Sequence, residues 1–192
     1  MKSTNLIIGT RHNAKDEREK DDFYATHPQA VRIFLNKLKE DNVILNNTIW
    51  EPACGQGHMA EAFIEYGYKV YASDLIDRGY GEITDFLEAK LPCKCDIFTN
   101  PPFKLAEEFI SHGLEILEDK DKLGLFVKIQ FLEGKSRKKI FDKYPPKYIY
   151  IYSGRQQCSK NADFEHLKCT TVAYIWIMWE KGFKGETTTR WI

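Results

Sequence analysis

The sequence predicts an α/β protein built on a mostly parallel β-sheet. Apolar runs with strand character alternate with amphipathic segments at helical spacing over most of the 192 residues. Two of the strand-like runs lead straight into segments that end a strand, a glycine turn at 52–57 and an Asn-Pro-Pro segment at 100–102. Because ligands of such sheets bind at the carboxyl ends of the strands, both segments are expected at the binding edge.

The first half of the chain is predicted to hold a flexible arm and the first half of a βαβ unit. Residues 1–22 mix both charges with few apolar side chains, which favours an arm ahead of a single domain at 23–183. Proline suits the first position of a helix. The predicted elements are a helix from Pro28 to about 42, a strand at 48–51, a helix at about 58–66 and a strand at 69–74.

The second half completes a predicted seven-stranded sheet with helices on both faces. The last two strands have no obvious helix between them, which predicts an antiparallel edge. Residues 184–192 are expected to form a frayed tail. The predicted elements are a strand ending at 99, a helix through 109–117, a strand at 123–132, a basic helix at 135–144, a strand at 148–152, a polar loop at about 153–167 and a strand at 170–179.

The amino-acid composition limits the kinds of partner that the sequence predicts. The chain carries 28 basic and 28 acidic residues, which disfavours tight non-specific nucleic-acid binding by the whole surface. A basic run between 134 and 155 is either a solvated helix face or a patch that meets phosphates. No stretch reaches the length of a membrane span or a signal peptide, so a cytoplasmic protein without a membrane partner is expected.

The five cysteines are expected to be reduced thiols, since their number is odd. A zinc site can be assembled on paper, but its spacing matches no standard zinc motif, so no metal is predicted. The residues that such a site would need are Cys93, Cys95, Cys158, His166 and Cys169.

A nucleoside pocket is predicted around the glycine turn. Gly55 and Gly57 would let a ligand approach the backbone, and Glu51 at the mouth of the turn suits a cationic or hydroxyl-rich ligand better than pyrophosphate. Asp74 follows the turn by about twenty residues, the spacing at which a carboxylate takes a ribose hydroxyl pair. The remaining candidates would contact an adenine ring: Leu75 beneath it, and Asp85 beside Phe86 at its amino group.

The Asn-Pro-Pro-Phe segment suits the binding of a planar amino or amide group. The side-chain oxygen of Asn100 and the carbonyl of Pro101 could accept its N–H bonds, while Pro102 stiffens the backbone and Phe103 offers a stacking face. Taken alone, the segment favours a plain strand exit with a core phenylalanine. Its combination with the nucleoside pocket favours a functional site.

The motifs together resemble a known family. Glu51-Pro52-Ala53-Cys54-Gly55-Gln56-Gly57 resembles the S-adenosylmethionine loop of class I methyltransferases. Asn100-Pro101-Pro102-Phe103 resembles the catalytic motif of the amino-methyltransferases, most closely the DNA N6-adenine group, and 23–28 resembles the upstream cofactor motif. The order of the motifs agrees with that family, and the resemblance covers most of residues 23–179. It implies a Rossmann-like fold, S-adenosylmethionine as cofactor and DNA as substrate.

The resemblance also implies roles for individual residues. The implied cofactor-binding residues are Tyr24, Thr26, Pro28, Glu51, Pro52, Ala53, Cys54, Gly55, Gly57, Asp74, Leu75, Asp85 and Phe86. The implied catalytic residues are Asn100, Pro101, Pro102 and Phe103, with Phe103 stacking on a flipped base. The candidate DNA contacts come from the basic run and the loop after it, and they are Lys135, Arg137, Lys138, Lys139, Arg155 and Lys160.

Two departures from the family pattern affect the expected specificity. His27 separates Thr26 from Pro28, where the family usually has threonine directly before proline. The chain also leaves no room for a target-recognition domain, so sequence specificity is expected to be low or to come from a partner, a homodimer or the loop at 154–167. By analogy this suggests a phage or prophage enzyme.

Alternative functions stay open at this point. The Asn-Pro-Pro-aromatic pattern also resembles enzymes that methylate an RNA base or a glutamine side chain of a protein, because a planar amide and an exocyclic amine present similar edges. A third possibility is a non-catalytic accessory protein that binds the cofactor or DNA without turnover.

Overall fold

The computed structural model describes residues 24–156, 158–160 and 172–192, with the backbone alone at 159 and 160. Three predicted segments lie outside these residues: the arm at 1–22, the part of the polar loop after residue 160, and the start of the last predicted strand. Within the described residues, no helix is long and apolar enough to cross a membrane.

Ten strands and four α-helices make up the described fold. The strands are β1 (Tyr24–Thr26), β2 (Thr48–Glu51), β3 (Lys69–Asp74), β4 (Glu82–Ile83), β5 (Asp96–Thr99), β6 (Lys122–Lys128), β7 (Tyr148–Ile151), β8 (Cys158–Lys160), β9 (Tyr174–Glu180) and β10 (Thr188–Trp191). The helices are α1 (Pro28–Glu40), α2 (His58–Glu65), α3 (Ala106–Ile116) and α4 (Lys135–Lys143). The predicted bounds of β2 and β3 are confirmed residue for residue.

Eight of the strands form one sheet in the order β10-β7-β9-β6-β5-β2-β3-β4. Strand β9 runs antiparallel to both neighbours, β6 and β7, while all the other pairs are parallel. The predicted α/β class and its antiparallel element are therefore confirmed, with eight strands in place of seven. Strands β1 and β8 form a separate two-stranded antiparallel sheet.

The expectation of a frayed tail at 184–192 is wrong, because this segment contains β10. Thr188 pairs with Tyr148 and Trp191 with Ile151 in a parallel register. The chain end is tied further by the Ser153 backbone N–H, which donates to the carbonyl of Ile192 at 2.7 Å. An edge strand such as β7 offers unpaired backbone groups, and the β-branched and aromatic residues of the tail fit that edge.

Two other segments differ from their predicted form. The apolar run predicted as one strand over 123–132 leaves the sheet after Lys128 and continues as a 3₁₀ turn at Ile129–Leu132. The polar loop predicted from 153 contains β8, which pairs with β1. The pairing with β1, which local composition does not record, selects the extended conformation of β8.

The two faces of the sheet bury different side chains. Helices α1 and α2 cover one face, where the rings of Phe34 and Trp176 stack with centroids 4.4 Å apart. Helices α3 and α4 cover the other face, where Ile97, Ile110 and Leu125 belong to one buried apolar cluster. Full burial of such side chains stabilises the fold by about 1.5–3 kcal/mol each. The sheet is thus a rigid platform for its strand ends.

The amino ends of β5 and β6 are tied together by a polar network. The Oδ1 atom of Asp96 accepts hydrogen bonds from the Lys122 backbone N–H at 2.7 Å and from Asn46 Nδ2 at 2.9 Å. The same Asn46 nitrogen donates to Asp121 Oδ1 at 2.8 Å. Burial raises the pKa of the Asp96 carboxyl group, against the hydrogen bonds that the backbone N–H groups of Asn46 and Lys122 donate to it. The network stabilises the sheet at the edge opposite the candidate site.

Candidate active site

An open cavity lies at the carboxyl ends of β2, β3 and β5. This is the edge at which parallel sheets bind ligands. Both predicted groups contribute to its lining. The predicted cofactor residues in the lining are Tyr24, Thr26, Glu51, Ala53, Cys54 and Asp74, and the predicted catalytic residues are Asn100, Pro101, Pro102 and Phe103.

The amide of Asn100 is held in a defined orientation at the rim of this cavity. Its Nδ2 atom donates to the backbone carbonyl of Tyr24 at 2.8 Å and lies 3.8 Å from the sulfur of Cys158. These contacts come from β1 and β8, so the small two-stranded sheet orients the side chain. Since the nitrogen points toward that sheet, the Oδ1 atom points away from it and can accept a hydrogen bond from a substrate.

Cys158 was not expected at this position, because the sequence suggested it only as a zinc ligand. Burial raises the pKa of its thiol to about 12, so the sulfur is neutral at physiological pH. Among the described residues, no group of three or more His, Cys, Asp or Glu side chains is placed to hold a metal ion. Strand β8 is short and its partner strand β1 lies 132–136 residues earlier in the chain, so it left no periodic signal in the sequence.

Phe103 lies among other rings and beneath a cation. Its ring centroid is 5.9 Å from that of Tyr24 and 6.5 Å from that of Tyr174. The ammonium nitrogen of Lys128, at the carboxyl end of β6, lies 4.1 Å from the Phe103 centroid and 5.8 Å from the Tyr24 centroid. Lys128 was not among the predicted site residues because it sits inside an apolar run.

Glu51 places a buried carboxylate in the cavity wall. The residue is 2% exposed, and its Oε2 atom has no hydrogen-bond partner among the described residues. Burial, together with the nearby charge of Asp74, raises the pKa of this carboxyl group well above its ordinary value, although the backbone of Ala60 opposes the shift. A buried, under-bonded carboxylate is stabilised by a cationic ligand group.

Asp74 connects the end of β3 to the glycine turn. Its Oδ2 atom accepts a hydrogen bond from the backbone N–H of Gly55 at 2.8 Å, and its Oδ1 atom accepts one from Ile76 at 3.0 Å. The carboxylate therefore fixes the turn as well as lining the cavity. An ionised carboxylate has about four acceptor positions, so two remain for a ligand hydroxyl pair.

The second glycine of the turn lies against a tyrosine. Gly57 has a φ angle of +84°, and a Cβ atom there would lie 2.5 Å from the ring of Tyr80. The hydroxyl of Tyr80 donates to Glu61 Oε1 at 2.7 Å, and its carbonyl is 3.4 Å from the sulfur of Cys54. Glycine is thus required at 57 to seat Tyr80, whereas the sequence predicted that it would admit a ligand.

Several predicted cofactor residues lie outside the cavity lining. Phe86 is 2% exposed and packs on Trp50 beneath α3, with ring centroids 5.2 Å apart. Asp85 caps the short turn that follows it, accepting a hydrogen bond from Leu87 N at 2.9 Å. The others form the backbone around the site or face solvent: Pro28 is the first residue of α1, Pro52, Gly55 and Gly57 belong to the glycine turn, and Leu75 is exposed.

The residues predicted to contact DNA are only partly available for that role. Lys135 and Lys139 are exposed on α4, whereas Lys138 pairs with Asp142 at 2.6 Å. Arg137 donates to the carbonyls of residues 130 and 133 and lies 3.6 Å from Glu107, so it anchors the start of α4. Arg155 is exposed, and the side chain of Lys160 lies outside the described part of the chain.

The entry to α1 contains the departure from the family pattern. The ring nitrogen Nδ1 of His27 accepts a hydrogen bond from the Gln29 backbone N–H at 3.1 Å, so His27 caps the helix that Pro28 begins. The extra residue thereby completes the helix start, and Thr26 remains in the cavity lining.

No protein-family model matches the chain, and no curated protein matches it. Solved structures do match, and they show that the chain has the Rossmann-like fold of class I methyltransferases. One is the modification subunit of a candidate type I restriction enzyme from Vibrio vulnificus YJ016, with a TM-score of 0.61 and 14% identity over 88% of this chain and 47% of that chain.

Two further structures match at the same level. A candidate class I S-adenosylmethionine-dependent methyltransferase from Listeria monocytogenes has a TM-score of 0.60 and 15% identity over 86% of this chain and 65% of that chain. A candidate RNA methyltransferase from Pyrococcus horikoshii has a TM-score of 0.60 and 15% identity over 83% and 87%. This chain thus spans under half of the Vibrio subunit and 65% of the Listeria protein. At such identities the likeness establishes the fold, and the chemistry rests on the residues of the site.

Proposed function

We propose that this protein is an S-adenosylmethionine-dependent methyltransferase that modifies the exocyclic N6 amino group of adenine in DNA. One observation carries the proposal: the oriented amide of Asn100 and the ring of Phe103 share a cavity with the carboxylates of Glu51 and Asp74. This arrangement would suit a planar amino group bound next to a cationic nucleoside.

The residues of the cavity fit the cofactor in charge and hydrogen bonding. The unpartnered Oε2 atom of Glu51 would be stabilised by a positively charged group, and Asp74 has acceptor positions left for the ribose hydroxyls. When bound, the cofactor supplies an electrophilic methyl group on a positively charged sulfur. The β1 residues Tyr24 and Thr26 line the same cavity and would hold its amino-acid end.

Asn100 and its neighbours would bind the target nitrogen. The Oδ1 atom of Asn100 and the carbonyl oxygen of Pro101 accept the two N–H bonds of the amino group, which turns the nitrogen lone pair toward the cofactor cavity. These acceptors also stabilise the positive charge that develops on the nitrogen as it takes the methyl group, before it releases a proton to solvent. Phe103 would stack on the face of the flipped base and partly offset the cost of unstacking, a few kcal/mol.

DNA contacts outside the pocket are proposed at the exposed cations. The candidates are Lys135 and Lys139 on α4 and Arg155 after β7. Lys138 would become a candidate if its ion pair with Asp142 opened. Arg137 anchors α4 and is expected to contribute through structure. Sequence specificity is proposed to be low, or to come from a recognition partner or a homodimer.

Labelled methyl transfer tests the proposal. Unmethylated DNA, total RNA and a protein extract would be incubated separately with labelled S-adenosylmethionine and the wild-type protein, Asn100→Ala or Asn47→Ala. Asn47 is an exposed asparagine just before β2, at the sheet edge opposite the site, and serves as the matched control. We expect label in DNA, recovered as N6-methyladenine, with the wild type and the control and at least a hundredfold less with Asn100→Ala.

The other outcomes assign the alternatives. Label confined to RNA, or to glutamine in protein, would replace DNA as the proposed substrate. The proposed roles of the cavity and of the Asn100 acceptor would then still hold. Cofactor binding without transfer to any of the three substrates would contradict an enzymatic role and favour an accessory protein.

A further inference from the structure

Lys128 ends β6 at the rim of the candidate active site, with its ammonium group over the ring of Phe103. We propose that Lys128 is a DNA-binding residue, and that its ammonium group moves from the Phe103 ring to a backbone phosphate beside the target adenine when that base stacks on the ring. The inference rests on the proposed function and adds a substrate contact that neither sequence motif contains.

The position of the ammonium group is set by aromatic rings. Its nitrogen lies 4.1 Å from the centroid of Phe103 and 5.8 Å from that of Tyr24, within the range in which a ring attracts a cation. On the neighbouring strand, Tyr174 pairs with Lys128 in the β6–β9 register, and its ring lies 6.5 Å from Phe103. The cation therefore stands inside the ring cluster that would receive a base.

Lys128 also differs from the lysines that stabilise the fold. Among the described residues, no carboxylate lies within 4.0 Å of its ammonium nitrogen. Lys122 at the other end of β6 and Lys147 before β7 both pair with Glu180, at 4.0 and 2.8 Å. The described neighbours of the Lys128 ammonium group are thus the ring faces and the Cys158 thiol, which burial keeps neutral. The positive charge can therefore take an anionic partner.

Stacking of a base would displace this cation. An ammonium nitrogen 4.1 Å from the ring centroid occupies the layer that a stacked base needs on that face. The flexible four-carbon stem of lysine allows the ammonium group to move aside while it stays near the ring. In a flipped nucleotide the backbone phosphates lie next to the base pocket, so a displaced cation meets an anion there.

A shallow depression extends this surface beyond the ring cluster. It is lined by Tyr152, residues 153–156 and Tyr174, and it includes the exposed guanidinium-bearing residue Arg155. Tyr174 is common to the depression and the Phe103 ring cluster. A DNA strand that passes from Lys128 toward Arg155 would therefore meet two cations, whereas a neutral glutamine side chain would make no use of either.

Salt-dependent binding of an oligonucleotide tests the inference. The binding of a fluorescent single-stranded, adenine-containing DNA would be measured by anisotropy over a range of salt concentrations for the wild type, Lys128→Met, Lys128→Arg and Lys69→Ala. Methionine keeps the length of the side chain and removes the charge. Lys69 is an exposed lysine at the start of β3, at the far edge of the sheet, and controls for loss of one positive charge.

We expect Lys128→Met to weaken DNA binding about tenfold, as is typical for loss of a hydrogen bond to a charged partner. The slope of log K against log salt concentration should fall by about 0.7, the contribution of one phosphate contact on a single strand. Lys128→Arg and Lys69→Ala should keep the wild-type slope, and the affinity for S-adenosylmethionine should be the same in all four proteins.

Three results would overturn the inference, and they separate it from the proposed function. An unchanged slope for Lys128→Met, in a protein whose wild type methylates DNA, would remove Lys128 from the DNA contacts and leave the function standing. An equal loss of cofactor affinity and DNA affinity in Lys128→Met would indicate a structural role. Methyl transfer by the wild type to protein alone would contradict both the proposed function and this contact.

Discussion

Glu51→Gln is expected to stabilise the protein without cofactor and to weaken cofactor binding. The wild-type carboxylate is 2% exposed and has an unpartnered oxygen among the described residues, so its ionisation is costly in the folded state. Glutamine has nearly the same shape and no charge. Glutamine leaves a polar group at the same place and removes only the charge, so the gain at pH 8 is the difference between the desolvation costs of the two groups, which we take as about 1–3 kcal/mol.

The sign of the pH dependence follows from the raised pKa of Glu51. In the unfolded chain this carboxyl group ionises near its ordinary value of about 4.3, while in the folded protein it holds its proton to a higher pH. The folded state therefore binds more protons between the two pKa values, and its free energy of unfolding falls by about 1.4 kcal/mol per pH unit there. The advantage of Glu51→Gln should vanish at low pH, where the wild-type group is protonated.

Thermal unfolding from pH 4 to pH 9 measures this difference. For a chain of this size, 1 kcal/mol corresponds to about 2–4 °C in Tm, so the variant should melt about 2–12 °C higher at pH 8. Glu88→Gln, at an exposed glutamate, provides the matched control and should follow the wild type at every pH. Calorimetry with S-adenosylmethionine should show at least tenfold weaker binding to Glu51→Gln. A Tm difference that is independent of pH, or a variant less stable than the wild type at pH 8, would refute the reasoning.

Three further predictions test other parts of the structure. Gly57→Ala should lower the free energy of unfolding by about 1–3 kcal/mol in urea titrations, because the new Cβ atom meets the Tyr80 ring and the backbone has a positive φ angle. Adding Tyr80→Ala should restore part of this loss. Strictly additive effects of the two substitutions would contradict the clash. Cys158→Ala should lower kcat for methyl transfer about threefold to tenfold at constant KM for DNA, since the Asn100 amide loses one hydrogen-bond acceptor. Cys158→Ser should recover activity. Equal rates for the wild type and both variants would exclude a role of Cys158 in orienting Asn100. Deletion of residues 188–192 should lower Tm and promote aggregation, because it exposes the edge of β7. A monodisperse deletion variant with the wild-type Tm would contradict the structural role of β10.

The elements near the site were predictable because their signals are local. Strand β2, the glycine turn and strand β3 follow one another within 27 residues, and each has its own apolar run or turn residues. The Asn-Pro-Pro segment ends β5 for a covalent reason, since proline lacks the backbone donor that a strand needs. These local signals are sufficient to place Glu51, Asp74 and Asn100 at strand ends.

The parts that were missed depend on distant partners. Strand β10 exists because β7 offers an unpaired edge, and its own residues indicate only that the segment could be extended. Phe86 was among the implied cofactor-binding residues, and it packs against Trp50, because an aromatic residue next to an acid suits a core as well as a pocket. Tyr80 covers Gly57 across a loop whose path no periodic pattern specifies.

The sequence by itself determined the α/β class, the order of most elements and the positions at which strands end in polar residues, because periodicity, proline and glycine act over a few residues. Only the tertiary structure decided which way the Asn100 amide points, since its partners lie on β1 and β8, 76 and 58 residues away along the chain. It also decided that Lys128 stands over Phe103, because β5 and β6 pair side by side. Hydrogen bonds and ring contacts between distant segments depend on the packed fold, and no local pattern encodes them.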